Sequence, residues 1–86
     1  MPAQIQPGGD AGKQERLLTV AQVRLRADQT EVMFYESARI YRLQRTNPAY
    51  DEALRLLRES AEKGTHVVVE FAEPNSDLIR RVKKTN

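Results

Sequence analysis

Glu31-Val32-Met33-Phe34-Tyr35-Glu36-Ser37-Ala38-Arg39-Ile40-Tyr41-Arg42-Leu43-Gln44-Arg45 is the stretch on which the fold turns. Its Val, Phe, Tyr and Ile residues suit a pleated, half-buried surface. At period two, Val32, Phe34, Ala38 and Ile40 share one face, while Met33, Tyr35, Ser37, Arg39, Tyr41, Leu43 and Arg45 share the other. At helical spacing, Met33, Phe34, Ser37, Ala38 and Tyr41 would line up instead. Composition favours strand. A straight strand of this length would run about 50 Å at ~3.4 Å per residue, yet a domain of this size is only about 30 Å across. The strand must therefore bend or break, and Glu36-Ser37 is the expected place, at a bulge. One bent strand, two strands and a helix are the three readings of this stretch.

Upstream, Leu17 to Leu25 alternates, and the odd set Leu17, Thr19, Ala21, Val23 and Leu25 is the better core face because the even set ends in Arg24 and Arg26. Ala27 to Thr30 reads as a polar turn. Residues 1–14 hold two of the four prolines and three of the four glycines and read as a disordered tail, leaving residues 15–86 as one domain.

Downstream, Asn47-Pro48 opens a helix, with Asn as cap and Pro in the first turn. Asp51 and Glu52 complement the dipole, and Lys63-Gly64 closes the helix. The helix is expected over residues 48–63, with Tyr50, Ala53, Leu54, Leu57 and Ala61 as its apolar stripe and Leu56 on the flank. His66 to Phe71 is a strand with Val67, Val69 and Phe71 on one face. Residues 73–77 form a turn. Residues 78–84 are a final strand or a short helix capped by Ser76, and the short turn before them favours a hairpin.

The order is β-β-α-β-β, or β-β-β-α-β-β if residues 31–45 split. The fold class is therefore α+β, a small mainly antiparallel sheet with one amphipathic helix. The split order resembles that of the OB-fold, a small five-stranded barrel, and an OB-like barrel is the form which that resemblance implies.

The chain of 86 residues has no cysteine, which excludes disulfides, thiolate metal sites and cysteine nucleophiles. Its single histidine, His66, has no partner motif for a metal or a triad. Asp51 and Glu52 are accounted for by the helix dipole, and Glu70, Glu73 and Asp77 flank a turn. No phosphate-binding glycine loop precedes a helix, and no nucleophile–base pair stands out. No catalytic residue, metal or cofactor is therefore expected. No apolar run approaches the ~20 residues of a spanning helix, and no signal peptide is visible, so the expected location is cytoplasmic.

A basic and aromatic set remains. With Val32, Phe34 and Ile40 inward, the outward group is Tyr35, Arg39, Tyr41 and Arg45, flanked by Arg24 and Arg26 on the first strand. Rings stack bases and arginines meet phosphates. The functional expectation is a small non-catalytic binding module using this face for single-stranded nucleic acid. The alternative is a protein-interaction or homodimerisation module through the same face, since Met33, Tyr35, Tyr41 and Leu43 make it unusually apolar.

Overall fold

A computed structural model of the chain describes residues 14–85; the expected tail, residues 1–14, lies outside them except for Gln14. Five strands and one helix follow in the order β1 (Gln14–Leu25), β2 (Gln29–Phe34), β3 (Ser37–Gln44), α1 (Tyr50–Lys63), β4 (His66–Phe71) and β5 (Ile79–Lys84). They form one antiparallel open sheet with strand order β3-β2-β1-β4-β5, so the small α+β class read from sequence holds.

β1 organises the sheet. Its first half, Gln14 to Thr19, pairs with β4, and its second half, Val20 to Leu25, pairs with β2. Between the halves Ala21 is bulged out: Val20 faces Phe34 and Gln22 faces Met33. A bulge bends a strand and raises its twist, which turns β2 and β3 away from β4 and β5 and curls the sheet around its core. The bulge also reverses the alternation. Leu18 and Val20 are buried before it and Val23 is half-buried after it, while Leu17 is 55% exposed. Of the expected odd-numbered core face only Val23 packs against the core, since Leu25 is 48% exposed.

Of the three readings of the critical stretch, two strands is the one observed: they are joined by the tight turn Tyr35–Glu36, with a register shift beside it. Neither turn residue has positive φ. The mismatch is taken up beyond the turn, where Phe34 faces Ser37 and Met33 faces Ile40, leaving Ala38 and Arg39 without partners on β2. Antiparallel reversal places even positions of β2 opposite odd positions of β3: Thr30 meets Leu43 and Val32 meets Tyr41. Residues directly opposite share a face. Tyr41 and Leu43 therefore enter the core and Ile40 is 48% exposed, the reverse of the sequence expectation.

α1 starts two residues later than expected. Asn47 does not cap it directly; its Oδ1 accepts the Ala49 N–H at 2.8 Å and its Nδ2 donates to the carbonyl of Arg80 at 3.0 Å, tying the helix entry to β5. Gly64 ends the helix in the left-handed conformation, φ 69°, and its N–H reaches the Ser60 carbonyl. The buried face is Ala53, Leu56, Leu57 and Ser60, with Leu54 half-buried. Leu56 lies in the core and not on its flank. β4 buries Val67, Val69 and Phe71 as expected, and β5 is a strand. No helix among the described residues is long and apolar enough to cross a membrane.

Candidate functional site

The two outer strands approach each other at one point. Arg42 on β3 forms a single parallel bridge with Leu78, just before β5; its N–H donates to the Asp77 carbonyl at 2.8 Å, and its guanidinium meets Asp77 Oδ1 at 2.9 Å. That hydrogen bond, aided by the charge of Arg42, holds the Asp77 carboxyl below its ordinary value. The turn between β4 and β5 is shaped for this junction. Asn75 takes the left-handed φ of 63°, and Ser76 Oγ accepts the Leu78 N–H.

The residues singled out in the sequence do not form one outward face. Tyr41 is 1% exposed at the centre of an aromatic cluster, its ring 5.3 Å from Phe34 and 5.1 Å from Phe71. Its hydroxyl bonds with Ser37 Oγ at 2.8 Å and accepts from Arg16 at 3.3 Å. Tyr35 stands alone at the hairpin tip, 75% exposed. Arg39 lies over the Tyr41 ring at 5.5 Å and donates to the Asn75 carbonyl at 3.0 Å. Arg45 donates twice to the Arg26 carbonyl, at 2.9 and 3.2 Å, and covers Tyr50. Arg26 itself pairs with Glu31, while Arg24 is exposed on β1 opposite Glu31. Arg39 and Arg42 thus both hold the turn between β4 and β5, and Arg45 holds the turn between β1 and β2. They looked like a basic run because their acceptors, one carboxylate and two backbone carbonyls, are distant in sequence.

The hairpin tip is fixed in the same way. Glu36 accepts the Thr19 N–H and the Thr19 hydroxyl, both at 2.8 Å, while the Tyr35 N–H returns to the Thr19 carbonyl. The Thr19 backbone bond is the main reason that the Glu36 carboxyl lies below its ordinary value. His66 is exposed, and its carbonyl accepts from Thr85. Among the described residues no group of three or more His, Asp or Glu could hold a metal ion.

One cleft has features that the sequence reading missed. It lies between the entry to α1 and the start of β5, has a volume of about 490 Å3, and is lined by Asn47, Pro48, Ala49, Leu78, Ile79, Glu70, Arg80 and Arg81, among others. Glu70 is 8% exposed and has no hydrogen-bond or ion-pair partner among the described residues. Alternation on β4, with three inward apolar residues around it, was the only sequence signal, and it pointed Glu70 outward.

No protein-family model and no curated protein sequence matches this chain. Two solved structures are similar in fold. One is the crystal structure of a pro-protein-glutaminase, with a TM-score of 0.78 and 17% identity over 88% of this chain. The other is a mutant of a pro-protein-glutaminase, with a TM-score of 0.71 and 17% identity over 81% of this chain. The chain spans about a quarter of those proteins, 27% and 24%. This likeness overturns the expectation of a free-standing binding module, whether for nucleic acid or for a second protein copy. The shared fold is that of a portion of an enzyme's pro-form, and the face that carried the expectation has Tyr41 in the core.

Proposed function

We propose that this domain serves an enzyme precursor as its pro-portion, a folded unit that keeps a protein-glutaminase-type catalytic unit inactive until it is removed. The observation that supports this is the fit of 88% of this chain onto only 27% of a pro-enzyme. The chemistry of the chain is consistent with the pro-portion rather than the catalytic one. Hydrolysis of a side-chain amide needs a positioned nucleophile or water with a base beside it. Here Ser60 is committed to two structural bonds, Ser37 to Tyr41, and Ser76 to a turn. Release of stored inhibition by removal of a pro-segment is a known switching device. The strand neighbours, together with the β3–β5 junction, support reading the domain as an OB-like barrel that closes at one end.

The test is inhibition. Purified chain is added to a mature protein-glutaminase, and ammonia release from a protein substrate is followed. Saturable inhibition, with a complex detected by sedimentation, is expected. No inhibition and no complex at about 100 µM, a weak binding limit of roughly −5.5 kcal/mol, refutes the proposal.

A further inference from the structure

The cleft between α1 and β5 carries a ligand site that goes beyond the precursor reading and stands without it. Its central feature is Glu70. The residue as a whole is 8% exposed, but its carboxylate oxygens are not among the fully buried atoms that lack a partner, so they open to water in the cleft with no donor from the described residues upon them. Its cross-strand neighbours are Glu15 on β1 and Arg81 on β5. Glu15 is taken by Lys83, with Nζ–Oε2 at 2.7 Å. Arg81 lines the same cleft as Glu70 but makes no ion pair with it. The wall therefore presents a carboxylate that no donor among the described residues occupies and, one strand away, an exposed guanidinium that makes no ion pair among them.

Three ligand chemistries can be weighed against that wall. An ammonium group would satisfy Glu70 but face Arg80 and Arg81. A carboxylate would suit the arginines but meet Glu70. A carboxamide is neutral and carries an N–H donor and a carbonyl acceptor side by side, so it answers Glu70 and Arg81 together. Ala49, Leu78 and Ile79 supply apolar surface for methylene groups, and the cleft volume of about 490 Å3 lies within the usual range for small ligand sites, roughly 300–1,000 Å3. We infer that this cleft binds a carboxamide side chain, that of an asparagine or glutamine, presented by a polypeptide, with its NH2 on Glu70 and its oxygen on Arg81.

The experiment titrates isotope-labelled chain with N-acetyl-glutamine N-methylamide and follows the backbone amides. The glutamate, methionine and lysine counterparts are run beside it. The expected result is saturable shifts at Asn47, Ala72 and Arg81 with the glutamine probe, at least about tenfold stronger than with the other three. Glu70→Ala and Arg81→Met should each weaken binding of that probe by about tenfold or more. Arg81 is exposed, so Arg81→Met keeps the test valid if Glu70→Ala disturbs the fold. Tighter binding of the lysine probe, equal binding of all four, or no saturation below about 10 mM overturns the inference. Since no enzyme is present, the outcome is independent of the inhibition test.

Discussion

The Ser60 hydroxyl, on the buried face of α1, accepts the backbone N–H of Val20 at 3.0 Å and donates to the Thr65 carbonyl. Val20 is the residue just before the Ala21 bulge. One side chain thus joins the helix, the break in the sheet and the chain leading into β4. Ser60→Ala leaves the Val20 N–H without its acceptor in a site that is fully buried. The expected loss is about 1–3 kcal/mol, out of a total of ~5–15 for a small domain. The urea midpoint should fall with an unchanged slope. A midpoint equal to that of the parent protein would show that water reaches the bulge.

Leu57 is wholly buried, whereas Leu54 is only half so. Leu57→Ala should cost about 2–5 kcal/mol by loss of transfer energy and creation of a cavity. Leu54→Ala should cost clearly less, in proportion to the smaller apolar area that it removes from water. Equal losses in parallel urea titrations would mean that the stripe of the helix is assigned to the wrong side.

Tyr41→Ala should act on stability and not on any surface contact. It deletes the ring between Phe34 and Phe71, a change of the kind that costs about 3–5 kcal/mol. Tyr41→Phe keeps the ring and loses only the bonds to Ser37 and Arg16, so its cost should be nearer ~1 kcal/mol. Thermal denaturation of both variants distinguishes packing from polar contributions. A larger loss for the phenylalanine variant contradicts the core placement.

These substitutions mark the line between what local sequence could and could not reveal. α1, its glycine cap and the inward face of β4 follow from patterns contained in one segment. The inward face of β3 does not. It depends on whether residues 35 and 36 form a bend or a turn, because reversal of the chain exchanges the parity of the buried set. The same is true of β1, where one extra residue at Ala21 exchanges parity in mid-strand. Both errors turn a correct strand over, and the second put Leu17 inside. The candidate face inherited the first error, since Tyr41 was placed outward with Arg39 and Arg45. Even a correct register would not have shown that those arginines are spent on Asn75, Arg26 and Tyr50. The Glu70 cleft was equally hidden, because the loop at residues 46–49 covers β5 only after the chain has folded.

The clamp between Glu36 and Thr19 predicts a pH dependence of definite sign. The folded-state pKa of Glu36 is lowered from an ordinary 4.5. Its contribution is then fully present above pH 4.5 and is lost as pH falls through the lowered value, since the unfolded chain takes up the proton first. Glu36→Gln should be less stable than the parent at pH 7, and the gap should narrow as the pH drops below 4.5. Because the group is exposed, the effect should be small and weakened by salt. Urea midpoints of the two proteins at several pH values check this. A gap that widens in acid has the wrong sign and excludes the clamp.

The junction of Arg42 and Asp77 should govern local opening rather than global stability. Its ion pair is partly solvated, with side chains 39% and 36% exposed, so it is worth at most about 1 kcal/mol. Asp77→Asn keeps the backbone bond from Arg42 to the residue 77 carbonyl and the parallel bridge to Leu78. It removes only the negative charge that faces the guanidinium of Arg42. The Arg42 Nε is already buried without a partner, so weakening its outer nitrogen leaves the group more poorly satisfied and favours separation of β3 from β5. Hydrogen exchange of the Arg42 amide should speed up several-fold in the variant, while exchange at Val67 and Val69 on β4 stays as in the parent. The urea midpoint should move little. If Arg42 and the β4 amides accelerate together, the edges open only through global unfolding, and the seam is as stable as the core.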